Sequence, residues 1–145
     1  MATMAHNGGQ DIVGLFGDRR GANGAPDIKR AIRAGLPYTA LESLASLLEL
    51  TQRDISAVLG AAPRTLARRK RQRRLSPIES DRLYRLARIL QSAAATLGNV
   101  NKARAWLGRP NRALGGMTPL SVLDTEIGAR QVEDVLTRIN YGMYA

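Results

Sequence analysis

Arg64, Arg68, Arg69, Lys70, Arg71, Arg73 and Arg74 crowd into the stretch Pro63-Arg64-Thr65-Leu66-Ala67-Arg68-Arg69-Lys70-Arg71-Gln72-Arg73-Arg74. The chemistry such a run supports is binding of a polyanion rather than acid–base or nucleophilic catalysis. The groups that catalysis needs are missing or badly spaced. His6 is the single histidine and there is no cysteine, so disulfides and thiolate metal sites are excluded. Glu133 and Asp134 are adjacent, so on a helix they diverge instead of converging on one substrate. The glycine-rich stretch from Leu107 to Gly116 lacks the G-x-x-x-x-G-K-[ST] spelling and a preceding strand, which rules out a phosphate-binding loop of that kind. No Ser or Thr has a credible activating triad. We therefore expect no enzyme, no metal and no cofactor.

The positive charge is a local device. The chain carries a formal +10, and residues 62–98 hold ten basic and two acidic residues, whereas the segments on either side nearly balance. A concentrated basic surface attracts nucleic acid and steers its approach. Only Tyr84 lies near the run, so stacking of single-stranded bases on interleaved aromatics is disfavoured and duplex DNA is the expected ligand.

The elements that must position these residues read as helices. A chain of 145 residues suits one compact domain or two small ones. Its apolar runs are far below the roughly 20 residues that cross a bilayer, and its start lacks a signal-like pattern, so we expect a cytoplasmic protein without membrane attachment. Residues 1–26 are rich in Gly, Asn and small side chains, with a brief apolar stretch at Ile12, Val13, Leu15 and Phe16; they read as a mobile tail. Asp27 caps a short helix through Ala34, and Leu41, Leu44, Leu47 and Leu48 share one face of a second. Thr51 is a plausible N-cap for a helix carrying Ile55, Val58 and Leu59, ended by Gly60. Pro63 suits the first turn of the next helix, and the pair gives a helix-turn-helix signal.

Ser76-Pro77-Ile78-Glu79 spells a capping box that starts a long helix. Leu83, Leu86, Leu90, Ala93 and Leu97 make its stripe, which fits either an intrachain core or a short dimer seam. Gly98-Asn99 ends it, and Val100 to Leu107 begins another short helix. The turn-rich clasp from Trp106 to Leu120 follows, then a turn or two from Pro119 to Leu123. A last helix over Gly128 to Asn140 places Val132, Val135, Leu136 and Ile139 on one face. With no sustained strand alternation, the expected fold is all-α: a helix-turn-helix domain over residues 27–98, where dimerisation is also expected, joined by a long helix to a small helical domain over residues 99–145.

Gln52, Ile55, Leu59, Gly60, Ala61, Thr65 and Leu66 occur in an order that resembles the helix-turn-helix of Xre-type regulators. This chain departs from the pattern at Ser56, where Ala is usual, and at Ala62, where a hydroxyl cap is usual. In such an arrangement Arg64, Thr65 and Arg68 approach base edges or nearby phosphates in the major groove. Arg69, Arg71 and Arg73 grip the backbone, which supplies affinity and register but little sequence information. A homodimer is expected because a two-fold protein matches paired half-sites.

The clasp Trp106-Leu107-Gly108-Arg109-Pro110-Asn111-Arg112-Ala113-Leu114-Gly115-Gly116-Met117-Thr118-Pro119-Leu120 resembles the toxin-binding domain of Xre/MbcA/ParS antitoxins. The likeness extends to Arg74–Leu83, to Ala103–Leu107 and to Val135–Tyr144, and covers roughly residues 28–145. It implies an antitoxin that neutralises a toxin encoded beside it and represses their shared promoter. In many relatives that toxin has a RES domain and consumes NAD, and the resemblance implies that the antitoxin's C-terminal region would lie over the toxin's active-site entrance. The chain ends Tyr141-Gly142-Met143-Tyr144-Ala145 after an amphipathic helix, and two aromatics with a flexible Met form an anchor for a partner cleft. With Arg112 and Arg138 these residues, Tyr141, Gly142, Met143 and Tyr144, are the expected toxin contacts. Trp106 is expected in the core, and Asn111 as a cap for local backbone groups. The competing reading is a stand-alone transcriptional regulator whose C-terminal domain dimerises or senses a ligand.

Overall fold

The computed structural model describes residues 25–142. The tail expected over residues 1–26 falls almost wholly outside them, as do Met143 and Tyr144. Among the described residues the chain forms α1 (Ala25–Ala34), α2 (Tyr38–Leu48), α3 (Gln52–Leu59), α4 (Pro63–Gln72), α5 (Pro77–Leu97), α6 (Val100–Leu107) and α7 (Glu126–Asn140), with short 3-10 helices at Arg112–Leu114 and Leu120–Val122. The all-α expectation holds.

Local chemistry sets the boundaries. Thr51 and Asp54 form a full capping box at the start of α3, and Ser76 and Glu79 form the one expected at the start of α5. In each the hydroxyl accepts from the N–H three residues on while the carboxylate accepts from the cap N–H, satisfying donors that the first turn leaves without partners. Asn99 caps α6 and Thr125 caps α7 in the same way with one side-chain bond each. Ala62 offers no such bond, and α4 starts on Pro63 instead.

α5 is the axis of the molecule. Leu83, Ile89, Leu90 and Ala93 are 0% exposed and Leu86 1%, so the helix is covered on several sides. α1, α3, α6 and α7 all pack against it, and one continuous apolar cluster runs from Leu36 and Leu44 through Leu90 to Ala103, Leu107, Val132 and Leu136. The leucine stripe is thus intrachain core, with Leu97 half-buried at its end. Arg85, 8% exposed, reaches from α5 to donate to the Leu123 carbonyl at 3.0 Å and to pair with Glu126 at 3.6 Å. Arg88 pairs with Glu133 at 3.4 Å. These contacts fix the C-terminal helix against the long one.

A polar latch ties the N-terminal helices to the end of α4 and the start of α5. The Leu36 N–H donates to the Ser80 hydroxyl at 2.7 Å. The Tyr38 N–H donates to the Arg73 carbonyl at 3.1 Å and the Leu75 N–H to the Leu36 carbonyl at 2.9 Å, an isolated antiparallel bridge between Pro37 and Arg74. The Arg74 guanidinium donates to the carbonyls of Ala34 and Gly35 at 3.1 and 3.0 Å, where α1 runs out of intrahelical donors.

Two substitutions probe this architecture. Gly128 lies in the first turn of α7 with the Val122 carbonyl where a Cβ would stand. Gly128→Ala would raise helix propensity by up to about 1 kcal/mol, yet overpacking costs about 1–3 kcal/mol; denaturant unfolding should show net destabilisation, and an equal or higher midpoint would show that the Val122 turn can retreat. Glu79 is 6% exposed and accepts from Arg69 Nε at 2.8 Å. Burial pushes its carboxyl up, but the Arg69 hydrogen bond, the Ser76 backbone bond and the Arg69 charge outweigh that and hold it below the usual carboxylate value. A depressed folded value means the charged form contributes stability above the unfolded pKa, about 4.3, and loses it as pH falls through the folded value. Glu79→Gln should cost about 1–3 kcal/mol at pH 7 and lose less on acidification than the parent; parallel stability curves from pH 7 to 3 would refute the ion pair's role.

Candidate functional site

α3 and α4 form the helix-turn-helix. Gly60 ends α3 at φ 62, a left-handed conformation that favours glycine, and a Cβ there would meet the Arg82 guanidinium. Arg82 donates to the Leu59 carbonyl at 2.8 Å, placing a cation at the helix C-terminus. Val58, Leu59 and Leu66 are buried and Ile55 packs against them, so the rotation of α4 is set by its apolar face. The Ser56 hydroxyl is buried and, among the described residues, has no hydrogen-bond partner, a local cost of this departure from Ala.

With Leu66 inward, Arg64, Arg68 and Arg71 are exposed and Thr65 is half-buried. Arg73 is exposed at the C-cap with φ 64, held there by the bond from Tyr38. Among the described residues no ion pair involves Arg64, Arg68, Arg71 or Arg73. Arg69 differs from the rest of the run. Its side chain is 20% exposed and bound to Glu79, so its charge is already matched by a carboxylate. Arg74 is likewise engaged with backbone carbonyls. The spacing of seven cations therefore conceals two that hold the fold.

The second site lies in the C-terminal region. Asn111 organises the clasp: its side-chain oxygen accepts from the Ala113 N–H at 2.9 Å, its carbonyl accepts from Leu114 and Gly116, and its N–H donates to the Met117 carbonyl. The clasp so closed stands against the end of α7 and leaves a cleft of about 580 Å³. Trp106, Pro110, Ala113, Val135 and Ile139 supply its apolar lining, and Arg109, Asn111, Arg112 and Arg138 its polar lining. The expected contacts Arg112 and Arg138 are brought together here. Arg109 was not anticipated, because only the folded clasp turns it toward α7.

Trp106 is half-buried: it packs on the core cluster and also walls the cleft, so the core expectation covers only part of its surroundings. Tyr141 is 72% exposed immediately after α7, and Gly142 is exposed beside it. Both are open to a partner. The proposed contacts Met143 and Tyr144 lie outside the described residues. Among the described residues there is no cluster of His, Asp or Glu able to hold a metal ion, and no helix is long and apolar enough to cross a membrane.

Comparison with known proteins finds two family domains in the chain. Residues 27–88 match the antitoxin Xre-like helix-turn-helix domain, and residues 92–142 match the antitoxin Xre/MbcA/ParS C-terminal toxin-binding domain. Antitoxin Xre of Photorhabdus laumondii is 32% identical over 124 residues, covering 84% of each chain. Antitoxin Xre of Yersinia enterocolitica is 30% identical over 117 residues, covering 79% of each. Antitoxin Xre of Pseudomonas putida is 42% identical over 80 residues, covering 54% of this chain and 50% of that one. Among solved structures, a chain from the crystal structure of the M. tuberculosis MbcT-MbcA toxin-antitoxin complex aligns with a TM-score of 0.54 at 22% identity, over 74% of this chain and 96% of that chain; at that identity the likeness speaks for the fold alone. The chain belongs to the Xre antitoxin family, as a non-catalytic antitoxin that joins a helix-turn-helix domain to a helical toxin-binding domain.

Proposed function

We propose that the chain neutralises a cognate RES-domain, NAD-consuming toxin by laying its C-terminal region over the toxin's active-site entrance, and that it represses their shared operon by binding its operator as a homodimer. The observation that carries the reading is the segregation of two uncommitted surfaces on one core. Exposed Arg64, Arg68, Arg71 and Arg73 lie on and just after α4, while Arg112, Arg138 and Tyr141 lie at and beside the far end of α7. On this reading the first group meets DNA and the second meets the toxin, so the chain can do both without dismantling either domain. The antitoxin performs no reaction; it excludes the toxin's substrate.

On the DNA side, about six neutralised phosphates would give a logarithmic salt slope near −5. Arg64→Ala/Arg68→Ala removes two uncommitted cations and spares Arg69, whose loss would strip Glu79 of its partner. The double variant should bind operator more weakly, with a slope shallower by about 1–2 and an unchanged melting temperature. Equal affinity of variant and parent across a salt titration would reject the assignment.

For the toxin, truncation after Asn140 removes the exposed Tyr141 and everything that follows, leaving the buried face of α7 intact. The truncated chain should still bind operator but no longer protect NAD from the toxin in a mixing assay. Full protection at stoichiometric amounts would sink the proposed role of the tail.

A further inference from the structure

We propose that the cleft between the clasp and the end of α7 is a receptor for an acidic side chain flanked by apolar residues on the toxin. The inference rests on the toxin-neutralising reading and gives the chemistry by which this domain recognises its partner. Every residue lining the cleft lies between Trp106 and Ile139, inside the part of the chain that matches the toxin-binding domain.

Among the described residues the charge around the cleft has no acidic counterpart: Arg109, Arg112 and Arg138 line it and no Asp or Glu does. Other arginines near the C-terminal region are engaged: Arg85 and Arg130 with Glu126, Arg88 with Glu133 and Arg104 with Glu49. The three at the cleft are exposed and have no ion pair among the described residues. Guanidinium groups are suited to fork-like bonds with a carboxylate.

Two features favour a single carboxylate over a phosphate chain. The N–H groups of Asn111, Ala113, Leu114, Gly115 and Gly116 are consumed inside the clasp, so no backbone nest is left to cradle a phosphate. The cleft also borders the C-terminal turns of α6 and α7, whose partial negative charge opposes a polyanion more strongly than it opposes one carboxylate flanked by three guanidinium groups. Meanwhile Trp106, Val135 and Ile139 offer an apolar floor for the neighbours of that carboxylate. The volume, about 580 Å³, has room for several side chains.

The test uses the full chain and the toxin co-expressed from its operon. Arg112→Ala/Arg138→Ala should weaken toxin binding by about 100-fold, and the dependence of affinity on NaCl between 50 and 300 mM should largely disappear. Operator binding should be retained, which also reports that the variant folds. Arg109→Ala, a milder change in an exposed loop, should cost about tenfold. Unchanged toxin affinity in both variants would overturn the proposal while leaving the antitoxin reading standing. Loss of operator affinity with toxin binding kept would overturn it in favour of a nucleic-acid surface. Failure of the parent chain to bind toxin would overturn both readings together.

Discussion

Burial of α5 on several sides is the constraint on which the rest of the structure depends. A helix whose Leu83, Leu86, Ile89, Leu90 and Ala93 are all sealed from water cannot be stable alone; it needs α1 and α3 on one part of its length and α6 and α7 on another. Its apolar side chains thereby join the helix-turn-helix and the toxin-binding helices through a single cluster. The burial is non-directional, so it brings the elements together without fixing their rotation. Directional bonds do that: Arg82 to Leu59, Arg85 to Leu123, Ser80 to Leu36 and Glu79 to Arg69. All four use side chains of α5. One helix thus aims both functional surfaces.

The same cation serves opposite ends depending on what stands beside it. Arg69 faces a carboxylate that already caps α5, so its charge is spent on holding α4 against α5. Arg74 meets carbonyls at the end of α1 and locks the N-terminal helices to the end of α4. Arg64, Arg68 and Arg71, on α4, are exposed and among the described residues form no ion pair. A partly buried ion pair is costly to break because the surviving charge is left without compensation, whereas an exposed arginine is free to exchange water for phosphate. The arginines that hold the fold are therefore separated from the exposed ones by their neighbours and not by their place in the run.

Much of the fold was legible in the sequence because its signals are local. Ser76 and Glu79 are three residues apart and announce the start of α5; Pro63, Asn99 and the spacing of Val132, Val135 and Leu136 are equally short-range. The site was less legible where contacts cross between elements. Glu79 could be read as a cap but not as the partner of Arg69, since that pairing depends on the angle between α4 and α5. Arg112 and Arg138 were expected toxin contacts, yet nothing in their spacing placed them in one cleft with Arg109. Trp106 follows the small Ala103 and Ala105 on α6, which points toward the core; its position against Val135 and Ile139 across the cleft is decided by how the clasp closes around Asn111.

On the proposed function one core presents two separate recognition surfaces. Hydrogen–deuterium exchange on the full chain, with operator DNA alone and with toxin alone, tests it most directly. Operator should slow exchange over residues 63–74 and leave residues 106–142 unchanged, and toxin should do the reverse. Protection of the same segment by both ligands, or protection by toxin confined to residues 63–74, would contradict the account.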